Sequence, residues 1–152
     1  MVLLFLNGLL WGLYDLHERP DEHYCAAYFG GEEDDYDVLK HTSSDVVHGD
    51  NSAFVRAGSS SIREDEFRTL VNTTDLAVYW LVNIWAGNTD WDQHNWYTCR
   101  RRDGGSGGFR FMSWDAEHVL GDREHDINVD VSTKNTAGAP TGMLHSLSLI
   151  HI

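Results

Sequence analysis

Asn95-Trp-Tyr-Thr-Cys-Arg-Arg-Arg102, Asp103-Gly-Gly-Ser-Gly-Gly108 and Phe109-Arg-Phe-Met-Ser-Trp114 form the stretch that decides the fold. Two aromatic, β-prone runs flank a glycine cluster, which is the pattern of two antiparallel strands joined at a tip. No helical pattern follows the glycines, so they read as a hairpin tip and not as a phosphate cradle. A turn centred near residues 105–106 predicts Asn95 beside Ala116 and Trp96 beside Asp115.

Two polar segments meet at the open end of this hairpin. One is Gly87-Asn-Thr-Asp-Trp-Asp-Gln-His-Asn-Trp96, and the other is Trp114-Asp-Ala-Glu-His118. Asp90, Asp92, Asn95, Asp115 and Glu117 are expected to converge there, with Trp91, Trp96 and Trp114 packed around them. Carboxylates with a carboxamide make an all-oxygen donor set that suits Mg²⁺, Mn²⁺ or Ca²⁺. The plain alternative is a solvated acidic rim.

Outward from that centre, Leu76, Tyr79, Trp80, Asn83 and Ile84 fall at helical spacing in a segment capped by Thr74 or Asp75 and ended by Gly87. Its remaining residues are also apolar, so burial nearly all round is expected. Ile62, Phe67, Leu70 and Val71 mark a preceding helix. Residues 42–61 are rich in Ser, Asp and Gly and read as loop, while Tyr36–Lys40 reads as a short strand. Arg19-Pro20-Asp21-Glu22 opens a helix, with Pro20 suited to its first position, and Gly30-Gly31 stop it. Asn7-Gly8 predicts a tight turn between strands at about 2–6 and 9–17. Residues 122–152 are weakly patterned, with a helix near 140–150. Asp122-x-Glu-x-Asp-x-Asn-x-Asp130 alternates oxygen ligands but lacks the Gly and Glu of an EF-hand, so it reads as a solvated strand face or loop. The expected class is α+β, with antiparallel hairpins around a buried helical pair, over 1–152 as one domain.

The 152 residues carry 24 Asp plus Glu against 11 Lys plus Arg, a formal charge of −13. That field repels phosphate backbones and anionic lipid, so neither nucleic-acid binding nor membrane insertion is expected. Any phosphate handled here needs metal ions to bridge it to carboxylates. The apolar start, Met1-Val-Leu-Leu-Phe-Leu6, has no preceding basic residue and no cleavage site, so no signal peptide is expected. Cys25 and Cys99 are expected to be free and buried, one bridge between them being the alternative. The nine His form no zinc-hydrolase pair. His94 and His118 nevertheless flank the acidic cluster, which keeps a metal-dependent phosphoester hydrolase as an alternative.

One spacing sharpens the reading. Asp90 precedes Asn95 by five positions, and the hairpin then delivers Asp115. Protein kinases use this order: an Asp that accepts the acceptor proton, an Asn for one metal, and a later Asp for metal.

Leu6-Asn-Gly8, Trp11-Gly-Leu-Tyr14 and Glu18-Arg19 resemble the "NG-x-x-x-G-x-Y…E-R" segment of the CotH kinase-like family of atypical spore-coat kinases. Tyr36-Asp-Val-Leu-Lys40 resembles its "L-Y-K" strand. Asn88-Thr-Asp90…Asn95-Trp-Tyr97 and Trp114-Asp115-Ala-Glu117 are similar to its "N-x-D…N-x-Y" and "W-D-x-D/E" motifs. Together the motifs span about residues 2–121, and Glu117 stands where some members have Asp. The resemblance implies a diverged, partial kinase-like domain that uses ATP and Mg²⁺ or Mn²⁺ to phosphorylate Ser or Thr of a protein substrate. It implies an extracellular or spore-surface setting. Asp90 would then be the catalytic base, Asn95, Asp115 and Glu117 the metal ligands, and Glu18 with Lys40 the nucleotide-positioning pair. It further implies that the family's nucleotide-covering strands precede the first residue of this chain, which alone would be poorly active. A non-catalytic extracellular interaction module is the remaining alternative.

Overall fold

The structure, a computed structural model, describes residues 1–121 and 129–148. In chain order the elements are β1 (Val2–Leu6), β2 (Leu9–Tyr14), α1 (Glu22–Phe29), a 3₁₀ turn (Glu33–Asp35), β3 (Tyr36–Lys40), β4 (Val46–His48), α2 (Ser52–Ala57), α3 (Glu64–Leu70), α4 (Thr73–Trp85), β5 (Trp96–Arg101), β6 (Arg110–Ser113) and α5 (Pro140–Ser148). The architecture is α+β, as the sequence predicts. The Asp122–Asp130 pattern lies largely outside the described residues.

The central sheet runs β4-β3-β5-β6 and is antiparallel throughout. Its strands alternate as the pleat requires. Leu39, Trp96, Phe109 and Phe111 enter a core with Phe54, Phe67, Leu76 and Tyr79 from α2, α3 and α4. Tyr36, Val38, Tyr97 and Cys99 face the other way, onto Cys25 of α1 with Tyr24 and Phe29 packed beside it. Both cysteines are free and buried. The hydrogen bond with the neighbouring Cys99 thiol, and then burial, push the Cys25 thiol far up from its ordinary range. Asp37 on β3 is buried between Arg100 (3.3 Å) and Arg102 (2.8 Å) and also accepts the Asp50 amide. These bonds tie the sheet to the start of α2.

The β5–β6 register differs from the expected one by two residues: Trp96 faces Ser113 and Cys99 faces Arg110. The tip is asymmetric because Phe109 is drawn off the hairpin axis. Its amide donates to Leu70 O, its carbonyl accepts from Asn72 N, and it bridges Val71. Gly108, at φ 96°, presses against this α3–α4 junction, where a Cβ would lie 2.7 Å from a backbone carbon. A shift of two preserves which face each side chain takes.

Other boundaries move for local reasons. Asn72 caps α4 by accepting the Asp75 amide, so the helix starts earlier than a Thr74 or Asp75 cap predicts. Asp75 instead accepts Phe111 N at 2.6 Å and fastens α4 to β6. Asp21 caps α1, which leaves Pro20 ahead of the cap and outside the first helical position. The stretch 42–61 is not all loop. It holds the edge strand β4 and the short α2, whose Phe54 stacks on Trp96 with centroids 5.4 Å apart. Residues 15–17 leave β2, which ends at Tyr14.

The largest departure is α4. Leu76, Tyr79 and Asn83 are buried, yet Val78, Leu81, Val82 and Trp85 are exposed, Trp85 by 78%. The sheet covers one side of this helix only. The β1–β2 hairpin is exposed on both faces. Its turn has Asn7 at φ 50° and Gly8 at φ 79°, the left-handed pair that Asn-Gly supplies.

Candidate active site

The site lies at the open end of β5–β6, where the loop after α4 and the loop after β6 run side by side. Backbone bonds join the two loops: Thr89 N donates to His118 O at 3.1 Å, and Leu120 N to Ala86 O at 2.7 Å. Trp114 N donates to Asn95 O at 3.0 Å, so Asn95 and Asp115 are set at the same end of adjacent chains.

A line of carboxamides leads to Asp90. Asn83, buried inside α4, donates to Tyr79 O and to Ser113 Oγ of β6. Its own Oδ1 accepts from Asn88 Nδ2 at 2.9 Å, and Asn88 Oδ1 accepts from Asp90 N. Asn95 Nδ2 then donates both to Asp90 O (3.0 Å) and to Asp90 Oδ2 (2.9 Å). Asn95 N donates to Nδ1 of His41. That bond needs a neutral imidazole acceptor, and burial, followed by the adjacent Lys40 charge, holds the His41 pKa below its ordinary value. Asp90 is therefore held from both sides. Asn83 is the sequence signal for this chain of bonds, since a lone carboxamide in an apolar helical stripe needs a buried partner.

Backbone strain concentrates here. His41, Asp92, Asn95 and Asp115 all have positive φ, between 50° and 87°. Asn and Asp tolerate this region better than most residues, and such conformations gather at functional sites.

Asp92 does not join the cluster. Its left-handed backbone turns it inward, where it is fully buried and accepts a hydrogen bond from Thr141 Oγ1 of α5. Its carbonyl accepts from Trp96 Nε1. Lys134 adds a second clamp on the loop, with Nζ donating to Thr89 O (2.8 Å), Trp91 O (3.1 Å) and Gln93 Oε1 (3.2 Å). Neither Lys134 nor Thr141 stands out in the sequence, because each is a single polar residue in a weakly patterned stretch.

Asp90 lies on the wall of a cleft of about 410 Å³ with His41, Thr42, Asp45, His94 and Asn95. Asp115 and Glu117 line a second cleft of about 400 Å³ with His17 and Trp114. The clefts adjoin, because ligand atoms of Asp90, Glu117 and His118 lie within 4.8 Å of one another. Oxygen donors from Asp90 and Glu117 fit a hard divalent cation, while Asp115, which shares its cleft with Glu117, falls outside the trio whose ligand atoms come together. Glu18 and Lys40 are not brought together. Glu18 accepts from Tyr28 on α1 (2.6 Å), and Lys40 is at the end of β3 opposite Tyr97.

No helix among the described residues is long and apolar enough to cross a membrane. No curated protein and no solved structure matches the chain. The family described as CotH kinase protein matches residues 49–148, which take in the Asp90–Asn95 and Trp114–Glu117 motifs and run on through α5. The match extends beyond residue 121, where the sequence motifs end, and includes both clamps on the loop, Lys134 and Thr141. With well over half of its residues under that family's pattern, and with the kinase-like order of Asp, Asn and Asp gathered at one end of the sheet, the chain belongs to the CotH kinase family.

Proposed function

We propose that the chain carries out ATP- and metal-dependent phosphoryl transfer to Ser or Thr hydroxyls of a protein, at an extracellular or spore-surface location. The observation that carries this reading is the Asp90–Asn95 pair, joined at 2.9 Å beside Glu117. A base for a hydroxyl must be fixed in direction and open to the acceptor. Asp90 meets both conditions, since Asn88 and Asn95 hold it and the cleft with His41 and His94 leaves it accessible.

Asp115 and Glu117, with the carboxamide oxygen of Asn95, would hold Mg²⁺ or Mn²⁺. Bound there, such an ion offsets the charge of the β- and γ-phosphates, which a chain of net charge −13 otherwise repels. Asp90 orients the acceptor hydroxyl and takes its proton. Neutral His41 keeps the Asn95 backbone in place, and through it the pair.

Asp115→Ala should abolish binding of the metal–nucleotide complex, whereas Asp90→Ala should spare binding and remove transfer. Calorimetry with Mg²⁺ and ATP, alongside transfer from radiolabelled ATP in the presence of Mn²⁺, separates the two. Equal loss of ATP binding in both variants would refute this division of roles.

A further inference from the structure

We propose that Asp90, Glu117 and His118 also form a mixed nitrogen-and-oxygen site for a borderline divalent ion, Zn²⁺ or Co²⁺, whose occupation withdraws Asp90 from the acceptor. The second half of this statement rests on the reading of Asp90 as the base, and the first half does not.

The trio is not a run of acids. It joins one imidazole and two carboxylates, supplied by two loops that are bonded backbone to backbone at Thr89 and His118. Donor atoms bound tetrahedrally to one ion at about 2.1 Å lie roughly 3.4 Å from one another. The three observed donors fall within 4.8 Å, so side-chain movements of about an ångström close the set. Glu117 is exposed and can supply that movement, and its Oε1 already lies 3.6 Å from His118 Nε2. Asp90 has two oxygens. Asn95 holds Oδ2, while among the described residues Oδ1 accepts only from Gln93 Nε2, at 3.5 Å.

The donor chemistry sets the preference. Three oxygens suit Mg²⁺, but an imidazole nitrogen beside two carboxylates favours Zn²⁺ and Co²⁺ over Mg²⁺, in the Irving–Williams sense. A hard ion serving a nucleotide therefore needs Asp115 and Glu117, whereas a borderline ion is drawn to His118. The two ions compete for Glu117, and the borderline one also occupies the base.

Co²⁺ titrated into the nucleotide-free protein, followed by its visible absorption bands, tests the site directly. Saturable bands at one equivalent are expected, displaced by Zn²⁺ and not by Mg²⁺ at the same concentration. His118→Ala should weaken Co²⁺ binding at least about tenfold while leaving Mg²⁺–ATP binding by calorimetry unchanged. Co²⁺ binding unaffected by His118→Ala, or displaced equally well by Mg²⁺, would overturn the site. In transfer assays, micromolar Zn²⁺ should inhibit the parent and spare the His118→Ala variant. Zn²⁺ inhibition equal in both would overturn the withdrawal of Asp90. Saturable His118-dependent Co²⁺ binding without any phosphoryl transfer would uphold the metal site and sink the kinase reading. Transfer without such binding would do the reverse.

Discussion

Among the described residues, two antiparallel hairpins are built around glycine-containing turns, and they end in opposite circumstances. β5–β6 is sandwiched, with Trp96, Tyr97, Thr98 and Cys99 all buried. In β1–β2 the strands pair only with each other, and every residue of β1 is exposed. Strand pairing satisfies backbone bonds in both, but only β5–β6 meets apolar surface on its two faces. The difference teaches that a turn signal and an apolar run create a hairpin, whereas its weight in the fold depends on what other elements bring to it.

Two tryptophans offer the sharpest way to break that comparison. Trp96→Ala should cost about 3–5 kcal/mol, because it empties a buried site stacked on Phe54. Trp11→Ala, at a residue 64% exposed in β2, should change stability by no more than about 0.5 kcal/mol. Urea unfolding of both variants checks the pair. A comparable loss at Trp11 would mean that the first hairpin is packed after all.

The next effect lies where the buried hairpin meets the site. Asn83→Leu removes the amide that joins Tyr79 O, Ser113 Oγ and Asn88 Nδ2, and should cost about 1–3 kcal/mol through the partners left unpaired. Native-state hydrogen exchange should show faster exchange at Asp90 N than at the β5 amides in this variant. Uniform acceleration would place the damage in the core as a whole, not in the line of amides leading to Asp90.

The smallest effect concerns α1, which links the two regions. An exposed hydrogen bond from His23 to Glu33 (2.6 Å), then the Glu33 charge, raises the His23 pKa above its ordinary value. A raised pKa means that the folded state holds the proton more tightly. Its contribution is therefore present below about pH 6.5 and is lost as pH rises through the raised value. The stability difference between the parent and His23→Ala should be slight at pH 6 and vanish by pH 9. A gap that widens with pH would reverse the sign and contradict the pairing.

Much of this was legible in the sequence for physical reasons that can be stated. Asn7-Gly8 and the Gly104–Gly108 cluster announce both turns, because positive φ there has few other solutions. Facing along β5–β6 survives a two-residue error in register, since parity is unchanged. The apolar count of α4 was misleading, because composition reports what could be buried and not how much neighbouring surface exists to cover it. Asp92 reads like Asp90 in the sequence, yet a single left-handed residue sends it inward. Lys134 was invisible because its partners are 41 to 45 positions away and are mostly carbonyls, which carry no side-chain signature.

That last tie also bears on the order of assembly. A contact closed across 45 positions forms only after the intervening chain has been gathered, at a cost in loop entropy that local hairpins avoid. The sheet and α4 lie wholly before residue 134, so they can consolidate while the loop bearing Asp90 still lacks its Lys134 and Thr141 anchors. On the ribosome, that loop stays unanchored until residues 134 and 141 have emerged and docked. The chain thus acquires its shape before its site, and the loop bearing Asp90 stays unheld until α5 arrives.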